Sequence, residues 1–187
     1  LWDIKGRLES GRYEISGYKR FLIHDPKDRE IQALCYADRI VQHSLCDNVL
    51  TPFFDNRLIY DNCACRVGKG THFGMGRLAG FLREHYRQYG TNGWILKADI
   101  RKFFSNIDHT VLLERLRKVI PDQQVMKLLE TIVHSFHMQP GKGLPMGNQT
   151  SQLFALSYLD PLDMLMNAKL RVKHYTRYMD DTKAPHP

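Results

Sequence analysis

The stretch KHYTRYMDDT, Lys173 to Thr182, sets two adjacent carboxylates, Asp180 and Asp181, behind a run that alternates as a half-buried strand does. Like charges side by side repel, so the pair needs a compensating partner or a turn that exposes it. A second acidic site follows another strand-like run: GWILKADI, Gly93 to Ile100, is short and largely apolar, of the kind buried in a sheet, and delivers Asp99 near its end. Carboxylates brought together from separate strands suit hard divalent cations. A pair of such ions about 3.5–4 Å apart can stabilise the attacking and leaving oxygens of phosphoryl transfer. The alternative is that Asp180 and Asp181 simply open a hairpin turn, where Asp is common.

Working outward, 187 residues suffice for one domain with a real core, or one domain with a small appendage. Hydrophobic residues at 43% and charged residues at 25% are ordinary for a globular chain. No run of about 18 apolar residues is present, which excludes a spanning helix. The opening LWDIKGRLESGRYEIS has no apolar signal region, and a start at Leu1 rather than Met reads as a trimmed piece. Cys35, Cys46, Cys63 and Cys65 lack zinc-knuckle or C-x-x-C spacing and read as reduced structural thiols. The nine histidines are scattered without zinc-site spacing. A balance of 27 Lys and Arg against 20 Asp and Glu, net +7, suits a polyanionic partner or a merely soluble basic surface.

Along the chain, YEISGYKRFLIHDPKDREIQAL (Tyr13 to Leu34) predicts a hairpin about Asp-Pro-Lys-Asp. YADRIVQHSLCDNVL predicts a helix with one buried face, and LIYDNCACRVGKGTH an irregular basic loop leading into a helix over 71–89. HTVLLERLRKVI and DQQVMKLLETIVHSF predict amphipathic helices, the second started by Pro121. HMQPGKGLPMGNQ is a loop. SQLFALSYLDPLDMLMNAKL is helical with a restart at Asp160-Pro161, and RVKHYTRYM returns to strand. The closing Thr182-Lys183-Ala184-Pro185-His186-Pro187 carries two prolines, which argue against a full strand.

YMDD after a strand, with Asp99 in ADIRKFFSNIDH about 80 residues before it, resembles the palm of reverse transcriptases. PKDREIQALCYADRIVQHSL is similar to that family's fingers segment, CACRVGKGTH (Cys63 to His72) to its basic loop, and GLPMGNQTSQLFA to its motif B. The motifs keep the family's order from Tyr18 to Thr182. Met146-Gly147 and Ser151-Gln152 stand where most members carry Gln-Gly and Ser-Pro, which resembles the enzymes of diversity-generating retroelements. A group II intron or retron relative is the competitor.

The resemblance implies a role for each matching position. Asp99, Asp180 and Asp181 are the catalytic carboxylates and, with the Ile100 carbonyl, the contacts of two Mg²⁺ ions, Mn²⁺ substituting. Lys27 and Arg29 hold the incoming triphosphate, and Phe104 crowds a ribose 2′-OH, unless it is a core Phe beside Phe103. Met146, Gly147 and Gln152 line the nucleotide site. Asn148, Tyr178 and Met179 touch template or primer, as would Lys69 and His72 of the GKGTH loop, unless these two serve only surface or packing roles.

The expectation is an α+β right-hand polymerase, with an antiparallel palm sheet packed on helices and no thumb. Residues 1–92 would be mainly fingers and 93–187 mainly palm, forming one continuous globular unit. The expected activity is RNA-directed DNA polymerisation onto a primer 3′-OH, error-prone on a retroelement template RNA, in the cytoplasm of a bacterium or from a phage. The partners are template RNA, a DNA or RNA primer, deoxynucleotides and a small basic accessory protein, with no membrane. The chain reads as a fragment of the full enzyme. The alternative classes are an RNA-binding scaffold that has lost polymerisation and a polymerase that works without template.

Overall fold

The computed structural model describes residues 2–24 and 27–186. In chain order the elements are α1 (Trp2–Glu9), β1 (Tyr18–His24), β2 (Asp28–Leu34), α2 (Tyr36–Leu45), a π-helical turn (Cys46–Leu50), α3 (Thr51–Asp55), α4 (Thr71–Tyr89), β3 (Trp94–Ala98), α5 (Phe103–Asn106), α6 (His109–Val119), α7 (Gln123–His134), α8 (Gln149–Tyr158), α9 (Asp160–Met164), a second π-helical turn (Leu165–Lys169), β4 (Thr176–Tyr178) and β5 (Asp181–His186). Helices and antiparallel sheet together match the α+β expectation. None of the described helices is long and apolar enough to cross a membrane. All four cysteines are free thiols, Cys46 and Cys63 buried. The chain divides into two compact units, residues 1–52 with 102–158, and residues 53–101 with 159–187.

In the first unit β1 and β2 form the predicted antiparallel hairpin, in register from Tyr18 opposite Leu34 to His24 opposite Asp28. Asp25 and Pro26 of the expected turn lie outside the described residues. The outer strand shows Phe21, Leu22 and Ile23 to solvent, while Leu34 closes over the core. That core is made where α6 packs on α7 and α8, and α2 on α8. Leu112, Leu116 and Leu129 are sealed there on the inward stripes of α6 and α7, and Phe154 and Leu156 on α8, a helix buried almost all round. The start of α7 corrects the sequence reading. Asp122, not Pro121, caps it, its carboxylate accepting the N–H groups of Gln124 (2.8 Å) and Val125 (2.9 Å).

The second unit is a three-stranded antiparallel sheet in the order β3-β5-β4, with α4 against β4 and β5. Phe81 of α4 is buried and stacks on His174 with ring centroids 5.0 Å apart. Two expectations are corrected here. β3 is not buried: Trp94, Ile95 and Leu96 are 82%, 57% and 53% exposed. It is an edge strand, paired on one side only, and α4 sits over its neighbours. The closing segment, conversely, is a full strand despite Pro185. That residue lies beyond Lys183, the last that pairs with β4, so a neighbour flanks it only at Ile95 of β3, and a missing N–H is tolerated at such a place. Strand is also shorter than expected before the turn, beginning only at Thr176.

Candidate active site

The acidic residues meet through sheet register. Ala98 pairs with Thr182, whose hydroxyl donates to the Ala98 carbonyl at 3.3 Å, so Asp99 follows β3 at the level where Asp181 begins β5. Tyr178 pairs with Asp181, which leaves Met179 and Asp180 as the two linking residues of a tight hairpin. Met179 takes φ +56, a left-handed conformation that costs a side-chain-bearing residue strain. Asp180 feels the other two carboxylates. Burial, then the negative charges of Asp99 and Asp181, push the Asp180 carboxyl above its ordinary range, against a pull from its own backbone N–H and from Arg177.

Asp181 points two ways. One oxygen accepts from Lys183 Nζ, and the other, Oδ1, is buried without a hydrogen-bond partner among the described residues. An orphaned buried carboxylate oxygen beside two further carboxylates fits a hard cation in donor type and charge. Among the described residues no group of three or more His, Cys, Asp or Glu is arranged as a ready ligand set, so the three share a neighbourhood without converging on one point. Asp99 and Ile100 lie exposed at the strand's end.

Around this cluster, Tyr178 is 41% exposed and its hydroxyl accepts from Thr71 at the start of α4, at 3.4 Å. His72 is exposed one residue on. Lys69 is more tied than a free template contact would be. Its ammonium donates to the Tyr60 carbonyl and lies 4.4 Å from the Tyr60 ring centroid and 5.4 Å from that of Phe73. Partial burial and Arg66 lower its pKa.

The remaining predicted residues belong to the first unit. Lys27 and Arg29 stand exposed at the hairpin tip and on β2. Phe104 is half-buried in α5 and meets Phe103 edge-on at 5.7 Å. The loop carrying Met146, Gly147 and Asn148 is bound to β2 by Gln32, a residue that the sequence did not single out. The Gln32 N–H donates to the Met146 carbonyl and the Met146 N–H to the Gln32 side chain, both at 3.0 Å, and the Asn148 amide donates to the Gln32 carbonyl at 3.3 Å. Asn148 is therefore buried rather than presented, with Gln152 half-buried in α8. Gly147 holds φ +107 where an added Cβ would come 2.8 Å from Ile31 Cγ2, so only glycine fits.

Also unforeseen is a buried ion pair beneath the Met179-Asp180 turn. Arg177 grips Asp163 of α9 through Nε to Oδ1 (2.7 Å) and Nη2 to Oδ2 (2.6 Å), with both side chains fully buried. No local spacing announces a pair fourteen residues apart on a helix and a strand.

Residues 19–184 match the family described as reverse transcriptase (RNA-dependent DNA polymerase). Protein YkfC of Escherichia coli is 22% identical over 177 residues, which cover 90% of this chain and 46% of that protein. The group II intron-encoded protein LtrA of Lactococcus lactis is 22% identical, covering 83% of this chain and 26% of its own length. This chain thus spans less than half the length of either. Among solved structures, the telomerase of Candida albicans in complex with a telomeric RNA fragment superposes with a TM-score of 0.70 at 12% identity, covering 96% of this chain and 38% of its own. A partial Cas6-RT-Cas1–Cas2 complex does so at 0.58 and 21%, over 98% of this chain and 32% of its own. Strand-borne carboxylates, hairpin, helices and sequence agree: the chain belongs to the reverse transcriptase family.

Proposed function

We propose that this chain is the fingers and palm of an RNA-directed DNA polymerase, fingers mainly in residues 1–92 and palm mainly in 93–187. Its substrates are a template RNA, a DNA or RNA primer and deoxynucleotides, and it works in the cytoplasm of a bacterium or of a phage-infected cell. The observation that carries this reading is the sheet register that brings Asp99, Asp180 and Asp181 to neighbouring strand ends, with the orphaned Asp181 oxygen among them.

Asp99, Asp180, Asp181 and the Ile100 carbonyl would hold two Mg²⁺ ions, or Mn²⁺, which supply positive charge at the attacking and leaving oxygens. The protein's own part is placement. Asp180 and Asp181 are fixed by the hairpin, and Asp99 by the register of β3. Arg29 and Lys27 grip the triphosphate, a guanidinium meeting phosphate oxygens in a forked pair. Phe104 excludes a ribose hydroxyl, and the loop of Met146 and Gly147, with Gln152, supports the nascent base pair. Tyr178, Met179, Lys69, His72 and Asn148 form or back the template and primer track. The net charge of +7 favours that track electrostatically.

Met146 supports assignment to the error-prone enzymes of diversity-generating retroelements, which would add a small basic accessory protein as partner. The likeness to a group II intron-encoded protein supports a group II intron enzyme as the second reading. Primer extension on poly(rA)/oligo(dT) with Mg²⁺, with nucleic-acid binding followed in parallel, tests the activity. Asp180→Ala should abolish extension and spare binding. Binding without extension, indifferent to that substitution, would instead identify an RNA scaffold, and product formed without any template would identify an untemplated polymerase.

A further inference from the structure

We infer that Arg177 and Asp163 are a positioning pair that sets the orientation of the Asp180 carboxylate through the peptide link of the Met179-Asp180 turn. The inference rests on the polymerase reading for its purpose but on geometry for its content. The third arm of the guanidinium, Nη1, donates to the Met179 carbonyl at 2.7 Å. A peptide unit is planar, so fixing that carbonyl also fixes the direction of the Asp180 N–H on the other side of the bond. The Asp180 carboxylate projects from the backbone that this peptide unit anchors. The order of constraint is thus Asp163, Arg177, the Met179 carbonyl and the backbone that carries the Asp180 side chain.

Each member is itself held. Asp163 also accepts from the Tyr175 hydroxyl at 2.8 Å and the Asn62 amide at 3.4 Å. The main chain of Arg177 donates to the Asp61 carbonyl (3.1 Å) and accepts from the Cys63 N–H (2.8 Å). The guanidinium has no slack to follow a moving turn, and the turn needs holding because Met179 sits at φ +56. Stability is a poor account of the pair, since buried ion pairs barely repay their desolvation and apolar residues of the same volume do as well. Delivery of a third, directional hydrogen bond to a strained carbonyl is something that apolar residues cannot do. Lys could neutralise Asp163, but one ammonium cannot make the forked contact and reach Met179 as well.

The test uses the full chain with Arg177→Lys and the double variant Arg177→Lys/Met179→Gly. Hydrogen–deuterium exchange of the segment from Met179 to Thr182 is the readout that needs no activity. Exchange there should rise about ten-fold or more in Arg177→Lys while the α6 and α7 amides keep their rates. It should return toward wild type in the double variant, because glycine takes the left-handed turn without strain. In primer extension, kcat should fall about ten-fold or more with the primer-template KM within about two-fold, as expected for loss of one charge-assisted bond that aligns a reacting group. Unchanged turn exchange, or a rise shared by all helices and not relieved by glycine, overturns the inference. Should Arg177→Lys not fold, Asp163→Asn carries the same measurements and outcomes. Asp180→Ala judges the polymerase reading separately, since its failure to alter extension leaves the exchange result standing.

Discussion

Replacing Gly147 by alanine puts the anchoring of the Met146–Asn148 loop to a quantitative test. At φ +107 a Cβ-bearing backbone is strained, at a cost of about 1–3 kcal/mol. The new methyl would also lie 2.8 Å from Ile31 Cγ2, well inside the usual carbon–carbon contact of about 3.5–4.0 Å. Overpacking of that kind costs about 1–3 kcal/mol more. The sum is about 2–6 kcal/mol, which for a chain of this size lowers the melting midpoint by roughly 10 °C. Relief by movement of the loop is blocked, because Gln32 holds Met146 from both its backbone and its side chain. Thermal melting followed by circular dichroism measures the loss, and Ile31→Ala in the same background separates its parts. Removing Ile31 Cγ2 together with the ethyl branch should recover the steric share and leave the backbone share, a coupling of about 1–3 kcal/mol in a double-mutant cycle. A midpoint within about 2 °C of wild type, or independent effects of the two substitutions, would refute the reasoning.

Two further outcomes follow from other parts of the chain. Asp38 is buried, which alone would raise its pKa, but the Tyr13 hydroxyl, the Cys35 thiol and the Ser16 N–H bond its carboxylate and carry it below the usual range. Because the folded value is depressed, its stabilisation is present above the unfolded value near 3.9 and is lost as pH falls through the folded one. Asp38→Asn should therefore cost about 2–3 kcal/mol in urea unfolding at pH 7, a deficit that shrinks on acidification; a deficit constant from pH 7 to pH 3 contradicts it. Met146→Gln adds an amide to a loop whose main chain Gln32 already fixes, so misincorporation opposite adenine should fall about ten-fold or more in a primer-extension error spectrum, and an unchanged spectrum would remove the case for Met146 as the source of infidelity.

The hairpin, α6, α7 and the turn bearing Asp180 were readable because each is encoded by spacing within one segment. Periodicity in DQQVMKLLETIVHSF falls on the buried Met126, Leu129, Ile132 and Val133. The exposure of β3 was not readable, since an apolar run such as Trp94-Ile95-Leu96 looks the same whether a helix covers it or not. Pro185 misled for a related reason: a proline's effect depends on which side of the strand has a neighbour, which is a property of the sheet. The helix α1 was missed because it buries no residue, and its visible support is the surface pairs Arg7–Asp3 (3.2 Å) and Lys5–Glu9 (3.6 Å). Gln32 and the Arg177–Asp163 pair act across long sequence separations, and uncharged or single residues of this type leave no local pattern. Of the candidate site, the placement of the acidic residues at strand ends was legible, while what holds those strand ends in place was not.

The bare margin of β3 also governs how the purified chain behaves in a tube. Its outer backbone groups and the side chains of Trp94, Ile95 and Leu96 offer a ready seam for a second extended strand, with Lys97 the one charge along it to discourage such stacking. Association through that seam grows with concentration, and a second lysine on this ribbon would oppose it.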